Sequence, residues 1–243
     1  MFKRAIVLVL FTILTHSAFG GLARSNVTDM TLGVYGIYLS ADPTCQTGLI
    51  ASVPLSTTPV AKNFAAAVSP TLGSGAIPSS INCVVIVMED AVALTWAAGS
   101  YTSTTNGASD SVCNAGGSLS QKICRSPNTV TFPSQIVTDA AAAGLTLTTS
   151  CPASPTGTEA IAIYLSTDAV CSGSNTDPAS CNNNNAFAPP SAAGDASAGI
   201  LLTAPSVSGA SFTFVADPDG TTVGNNNGTC QSLGPPLFSF KAN

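Results

Sequence analysis

The chain carries one motif twice. Ile37-Tyr38-Leu39-Ser40-Ala41-Asp42-Pro43-Thr44-Cys45 returns as Ile163-Tyr164-Leu165-Ser166-Thr167-Asp168-Ala169-Val170-Cys171, identical at six of nine positions. Recurrence of this kind implies two copies of one structural unit and constrains the fold more than any composition count. Each copy alternates. Tyr35, Ile37 and Leu39 line one side of the first, Ile161, Ile163 and Leu165 the same side of the second. Period two is the mark of a half-buried strand, because successive side chains leave opposite faces. A second match follows, Ala93-Leu94-Thr95-Trp96 against Ser211-Phe212-Thr213-Phe214, and each segment runs through a polar turn region to a cysteine, Cys113 or Cys230. The Trp96 and Phe214 positions are expected in the core rather than at a ligand.

The pattern predicts an all-β protein: two tandem, disulfide-stabilised β-sandwich (Ig-like) modules with minor helix. The expected divisions are a signal peptide over 1–20, a first sandwich over 21–138 and a second over 145–243, with the boundary near 139–145. Further strands are expected at Leu49–Val53, Cys83–Met88, Val130–Ile136, Leu145–Thr149 and Ile200–Thr203. Val130-Thr131-Phe132 is expected to close the first module. Helix is expected only at Val60–Val68, after Pro59, and at Thr138–Ala143, where Gly144 ends it.

The first 20 residues fit a secretory signal. Lys3 and Arg4 precede an apolar run from Ala5 to Leu14, and Ala18-Phe19-Gly20 supplies small residues for cleavage. The run is shorter than the about 20 apolar residues that span a bilayer. The expected location is therefore outside the cell, at its surface or in a periplasm. Eight cysteines follow the signal: Cys45, Cys83, Cys113, Cys124, Cys151, Cys171, Cys181 and Cys230. An even number on an exported chain suggests a disulfide framework. The expected pairs are Cys45–Cys83, Cys113–Cys124, Cys171–Cys181 and Cys151–Cys230.

Several chemistries are unsupported. The single histidine, His16, lies inside the segment expected to be removed, which leaves no imidazole for a triad or a metal shell. No phosphate-binding glycine loop is present. Charged residues make up 8% of the chain, against about 25% in ordinary globular proteins, and the few cations form no stripe that would suit nucleic acid. Glu89-Asp90 is the one carboxylate pair, and it is expected in a solvated turn. Asp42 and Asp168 hold equivalent places in the repeat and are expected to cap the turns that follow them. Asp217 and Asp219 form a weak calcium candidate without EF-hand spacing. No other cofactor is suggested.

These features point to a secreted non-enzymatic structural protein: a subunit of an extracellular filament or surface layer, or an adhesin module. Its partners would be further copies of itself or other surface proteins, and residues 21–31 are a candidate donor strand. The alternatives are a carbohydrate- or calcium-binding secreted module and a carboxylate-based hydrolase.

Overall fold

The computed structural model describes residues 27–63, 80–98, 116–124, 127–151, 159–170, 186–195, 197–202, 212–217, 223–226, 229–232 and 237–242. They are mostly strand, with one helix among them. Two 14-residue strands, β1 (Val27–Ser40) and β4 (Cys83–Trp96), run antiparallel and form the spine. Each is too long for a single neighbour. The outer edge of β1 is shared by β3 (Val60–Asn63), opposite Thr31 to Val34, and by β2 (Ile50–Val53), opposite Ile37 to Leu39. The other edge of β4 is shared by β6 (Ala160–Ser166), opposite Cys83 to Glu89, and by β5 (Gly117–Gln121), opposite Val92 to Trp96. The short β7 (Ile200–Leu201) adds to β6 in parallel and makes the sheet mixed. Two hairpin-like sheets complete the described strands: β8 (Phe212–Asp217) with β11 (Leu237–Ala242), and β9 (Val223–Asn226) with β10 (Thr229–Ser232).

The sequence of β4 explains its central place. Cys83-Val84-Val85-Ile86-Val87-Met88 is apolar without alternation, and all six residues are fully buried. A run of this kind suits a strand covered on both faces and paired on both edges. Beyond Glu89 the strand alternates. Asp90, Val92, Leu94 and Trp96 are buried, while Ala93 and Thr95 are exposed. The sheet is therefore covered on both faces at one end and open on one face at the other.

The repeated motif is symmetric about this strand. Ile37 and Ile163 both pair with Ile86, Tyr38 and Tyr164 with Val85, Leu39 and Leu165 with Val84, and Ser40 and Ser166 with Cys83. Each copy thus presents the same side chain at the same height on opposite edges of β4. Both tyrosines lie on one face. The Tyr38 hydroxyl donates to Asp139 Oδ2 at 2.8 Å, and the Tyr164 hydroxyl donates to the Thr131 carbonyl. The segment from Thr131 to Asp139 therefore crosses over that face. It leads into the helix α1 (Ser134–Ala143), which buries Ile136 and Ala140 one turn apart. Gly144 closes α1 in the left-handed conformation at φ 76°, its N–H donating to the Ala140 and Ala141 carbonyls.

Several expectations need correction. Pairing between β4 and β6 crosses the boundary expected near 139–145, so the two copies share one sheet instead of founding two separate sandwiches. Val60–Asn63 is strand; the open edge of β1 gives it a ladder, whereas two isolated helical turns carry an unfavourable nucleation cost. The remainder of the expected Val60–Val68 helix lies outside the described residues. Val130–Ile136 is not a strand: an isolated bridge joins Thr129 to Ser150, and the helix begins at Ser134. Leu145–Thr149 contributes only the bridge of Leu147 with Ala160. Ile200–Thr203 is realised only as Ile200–Leu201.

Cys45 is bonded to Cys83, as expected, with a Cα separation of 5.5 Å. Cys124 is bonded to Cys151, Cα atoms 5.2 Å apart, which replaces the expected Cys113–Cys124 and Cys151–Cys230 pairs. Cys113, Cys171 and Cys181 lie outside the described residues. The donor-strand expectation also narrows. Residues 27–31 of the 21–31 stretch belong to β1 and pair with β4 of the same chain, and residues 21–26 lie outside the described residues. No described helix is long and apolar enough to cross a membrane.

Candidate functional site

β4 changes partner between Glu89 and Val92, where β6 ends and β5 begins. A strand that changes neighbours leaves backbone groups without a ladder, and buried groups of this kind must find other partners. Asp90 supplies them. Its N–H donates to the Glu159 carbonyl at 2.9 Å, just before β6. Its Oδ1 accepts the N–H of Ile123 at 3.0 Å and of Cys124 at 2.6 Å, just after β5. The residue is wholly buried, and Oδ2 has no hydrogen-bond partner. Burial pushes the Asp90 carboxyl above its usual range, against the pull of the Cys124 and Ile123 N–H groups and the Lys122 charge, while Glu159 adds to the rise. Beside it, Lys122 Nζ lies 3.2 Å from Glu159 Oε2. Tyr35 belongs to the same neighbourhood. Burial raises its hydroxyl above the ordinary value, and the charges of Glu89 and Glu159 add to that.

The Glu89-Asp90 pair is therefore inside a strand, not in the expected solvated turn. Its members point to opposite faces. Glu89 faces the open half of the sheet, in a groove of about 210 Å³ lined by Thr31, Gly33, Ala61, Ala91 and Ser120 among others. Gly33 makes room for it. A Cβ there would lie 2.1 Å from Glu89 Oε2, so the carboxylate rests directly on the backbone of β1. The described lining holds no second ionisable group, and this groove offers one carboxylate on a floor of small residues.

The repeated aspartates differ. Asp42 accepts four bonds, from the N–H and hydroxyl of Thr44 and of Thr47, at 2.7–2.9 Å. Burial opposes its ionisation, but those bonds outweigh burial and hold the carboxyl at about 2. This is the turn cap expected from the sequence. At the second copy the equivalent cradle comes from a distant segment. Asp195 accepts the N–H and hydroxyl of Ser191 and of Ser197, and its backbone bridges Asp168 and Val170. The Ser191 N–H bond and those of Ser197 hold Asp195 below the usual carboxylate range. Asp168 contributes its backbone: its N–H donates to Ser166 Oγ at 3.0 Å.

Asp217 ends β8, opposite Leu237, and Asp219 lies outside the described residues, so the calcium pair is not brought together among the residues described. No described cluster of three or more His, Cys, Asp or Glu residues could hold a metal ion. Trp96 is buried in β4, in the core as expected. The Lys122–Glu159–Asp90 cluster was not visible in the sequence. Its members are 32 or more positions apart, and only the scarcity of lysine and glutamate marks them. Comparison with known proteins finds no matching family model, no similar curated protein and no similar solved structure.

Proposed function

We propose that the chain is an exported, non-enzymatic structural protein: a subunit of an extracellular filament or surface layer, or an adhesive module built of repeated β units. The observation that carries this is the open half of the β1/β4 sheet. Its outward positions are small and almost uncharged: Thr31, Gly33, Ala61, Ala91, Ala93 and Ser120 around one carboxylate. Such a surface loses little ionic hydration when covered by another protein. The two disulfides among the described residues suit an oxidising compartment. Separation of Glu89 and Asp90 onto opposite faces weighs against a two-carboxylate hydrolase, whose acids must flank one bond. Burial of Tyr38, Tyr164 and Trp96 removes them as a sugar-stacking platform.

The test is the assembly state of the full chain purified from the exporting cell, by electron microscopy and light scattering. Filaments, sheets or defined oligomers that are lost in Ala93→Glu support the proposal. A strictly monomeric product that hydrolyses or binds a glycan would refute it.

A further inference from the structure

The end of β5 is fastened to β4 by a single carboxyl group. The five residues of β5 pair with β4 opposite Val92 to Trp96. Just beyond them, Ile123 and Cys124 donate their N–H groups to Asp90 Oδ1 at 3.0 and 2.6 Å. That carboxyl is badly placed to carry a charge. Asp90 is wholly buried, and Oδ2 has no hydrogen-bond partner. Burying an unpaired charge costs far more than burying a neutral polar group. The cation that acts on Asp90 does not cancel it. Lys122 Nζ lies 3.2 Å from Glu159 Oε2, and the Glu159 charge acts on Asp90 in the opposite sense. Of the other ionisable neighbours, Glu89 of the same strand lines the groove on the opposite face. From β1 comes Tyr35, whose hydroxyl burial keeps neutral at ordinary pH.

We propose that Asp90 is a proton-operated latch on β5: protonated, it holds the segment after β5 against β4, and ionised, it draws water to Oδ2 and lets that segment lift. Oδ1 can accept both N–H groups in either state. What changes is the charge at Oδ2, which water reaches only when the chain around Ile123 moves away. The Cys124–Cys151 bridge keeps the opening local. β5 also carries Ser120, which lines the groove beside Glu89. The latch therefore fixes that wall of the groove in acid and loosens it as pH rises. It operates within one chain and does not depend on self-association. Its direction comes from linkage. The folded carboxyl lies above its ordinary range, so the closed form is favoured most below about pH 4. That preference is lost as pH rises to the folded value, and then levels off. Asp42 and Asp195 are held below the usual carboxylate range, so their contributions fade on the acid side of this window and do not mask it.

The experiment is amide hydrogen exchange of the full, disulfide-bonded chain between about pH 4 and pH 8, corrected for the intrinsic rate at each pH. The Asp90 carboxyl carbon is followed by nuclear magnetic resonance in the same samples. Protection of the Ile123 and Cys124 amides should fall as pH rises, by about tenfold for each pH unit by which the Asp90 midpoint exceeds its ordinary value. Val85 and Ile86, in the centre of β4, should stay protected. Asp90→Asn keeps the Oδ1 acceptor and cannot ionise, so its protection should not vary with pH. A wild-type Asp90 midpoint at or below the ordinary aspartate value would overturn the proposal, whether or not the variant folds. So would protection that ignores pH in the wild-type chain, or a pH-dependent loss that persists in Asp90→Asn.

Discussion

Truncating Ile163 tests whether the two copies share one folded unit. Ile163 is 4% exposed and faces Ile86, which is fully buried and also faces Ile37. Ile163→Ala removes buried methyl and methylene groups from β6, and the neighbouring β4, paired on both edges, is held against moving into the gap. A change of this type costs about 2–5 kcal/mol. With a urea slope of about 2 kcal/mol per molar, the unfolding midpoint falls by about 1–2.5 M. Trp96 is the single tryptophan and lies at the far end of β4. Its fluorescence therefore reports the strand that both copies share. The expected result is one unfolding transition, shifted down by that amount and seen equally by Trp96 fluorescence and by circular dichroism. If Ile163→Ala left the Trp96 transition in place while a separate transition moved, the shared sheet would be refuted.

Other perturbations have defined outcomes. Asp42 has a folded value of about 2, below its unfolded value, so its contribution is present above pH about 4 and is lost as pH falls towards 2; Asp42→Asn should flatten acid titrations of stability in that window. Gly144→Ala places a Cβ at φ 76° with no steric contact closer than 3.9 Å; the left-handed backbone alone should cost about 1 kcal/mol in chemical denaturation. Removing the Cys45–Cys83 bridge, whose partners are 38 residues apart, as Cys45→Ser with Cys83→Ser should cost about 4 kcal/mol by the loop-entropy relation, measured as a fall in the urea midpoint.

The strands were legible where side-chain periodicity decides them. Ile37 to Ser40 and Ile163 to Ser166 lie in strands, Gly144 ends the helix, and Asp42 caps its turn. Partner choice was not legible, because alternation fixes which face is buried and says nothing about which neighbour supplies the ladder. One signal pointed the right way: unbroken apolarity from Val84 to Met88 marks a strand covered on both sides, which a one-faced sandwich strand would not need. Glu89-Asp90 misled for a related reason. Adjacent acids suggest a turn, yet both lie within β4, where Glu89 rests on Gly33 and the alternation that buries Val92 and Leu94 also turns Asp90 inward to bind Ile123 and Cys124. The Cys124–Cys151 pair escaped prediction because spacing along the chain does not report distance in space.

Backbone proton contacts measured by nuclear magnetic resonance at Val85 test the shared strand most directly. Val85 should show cross-strand contacts to Tyr38 on one edge and Tyr164 on the other. Contacts to Tyr38 alone, with Tyr164 paired to a strand C-terminal to it, would contradict the architecture.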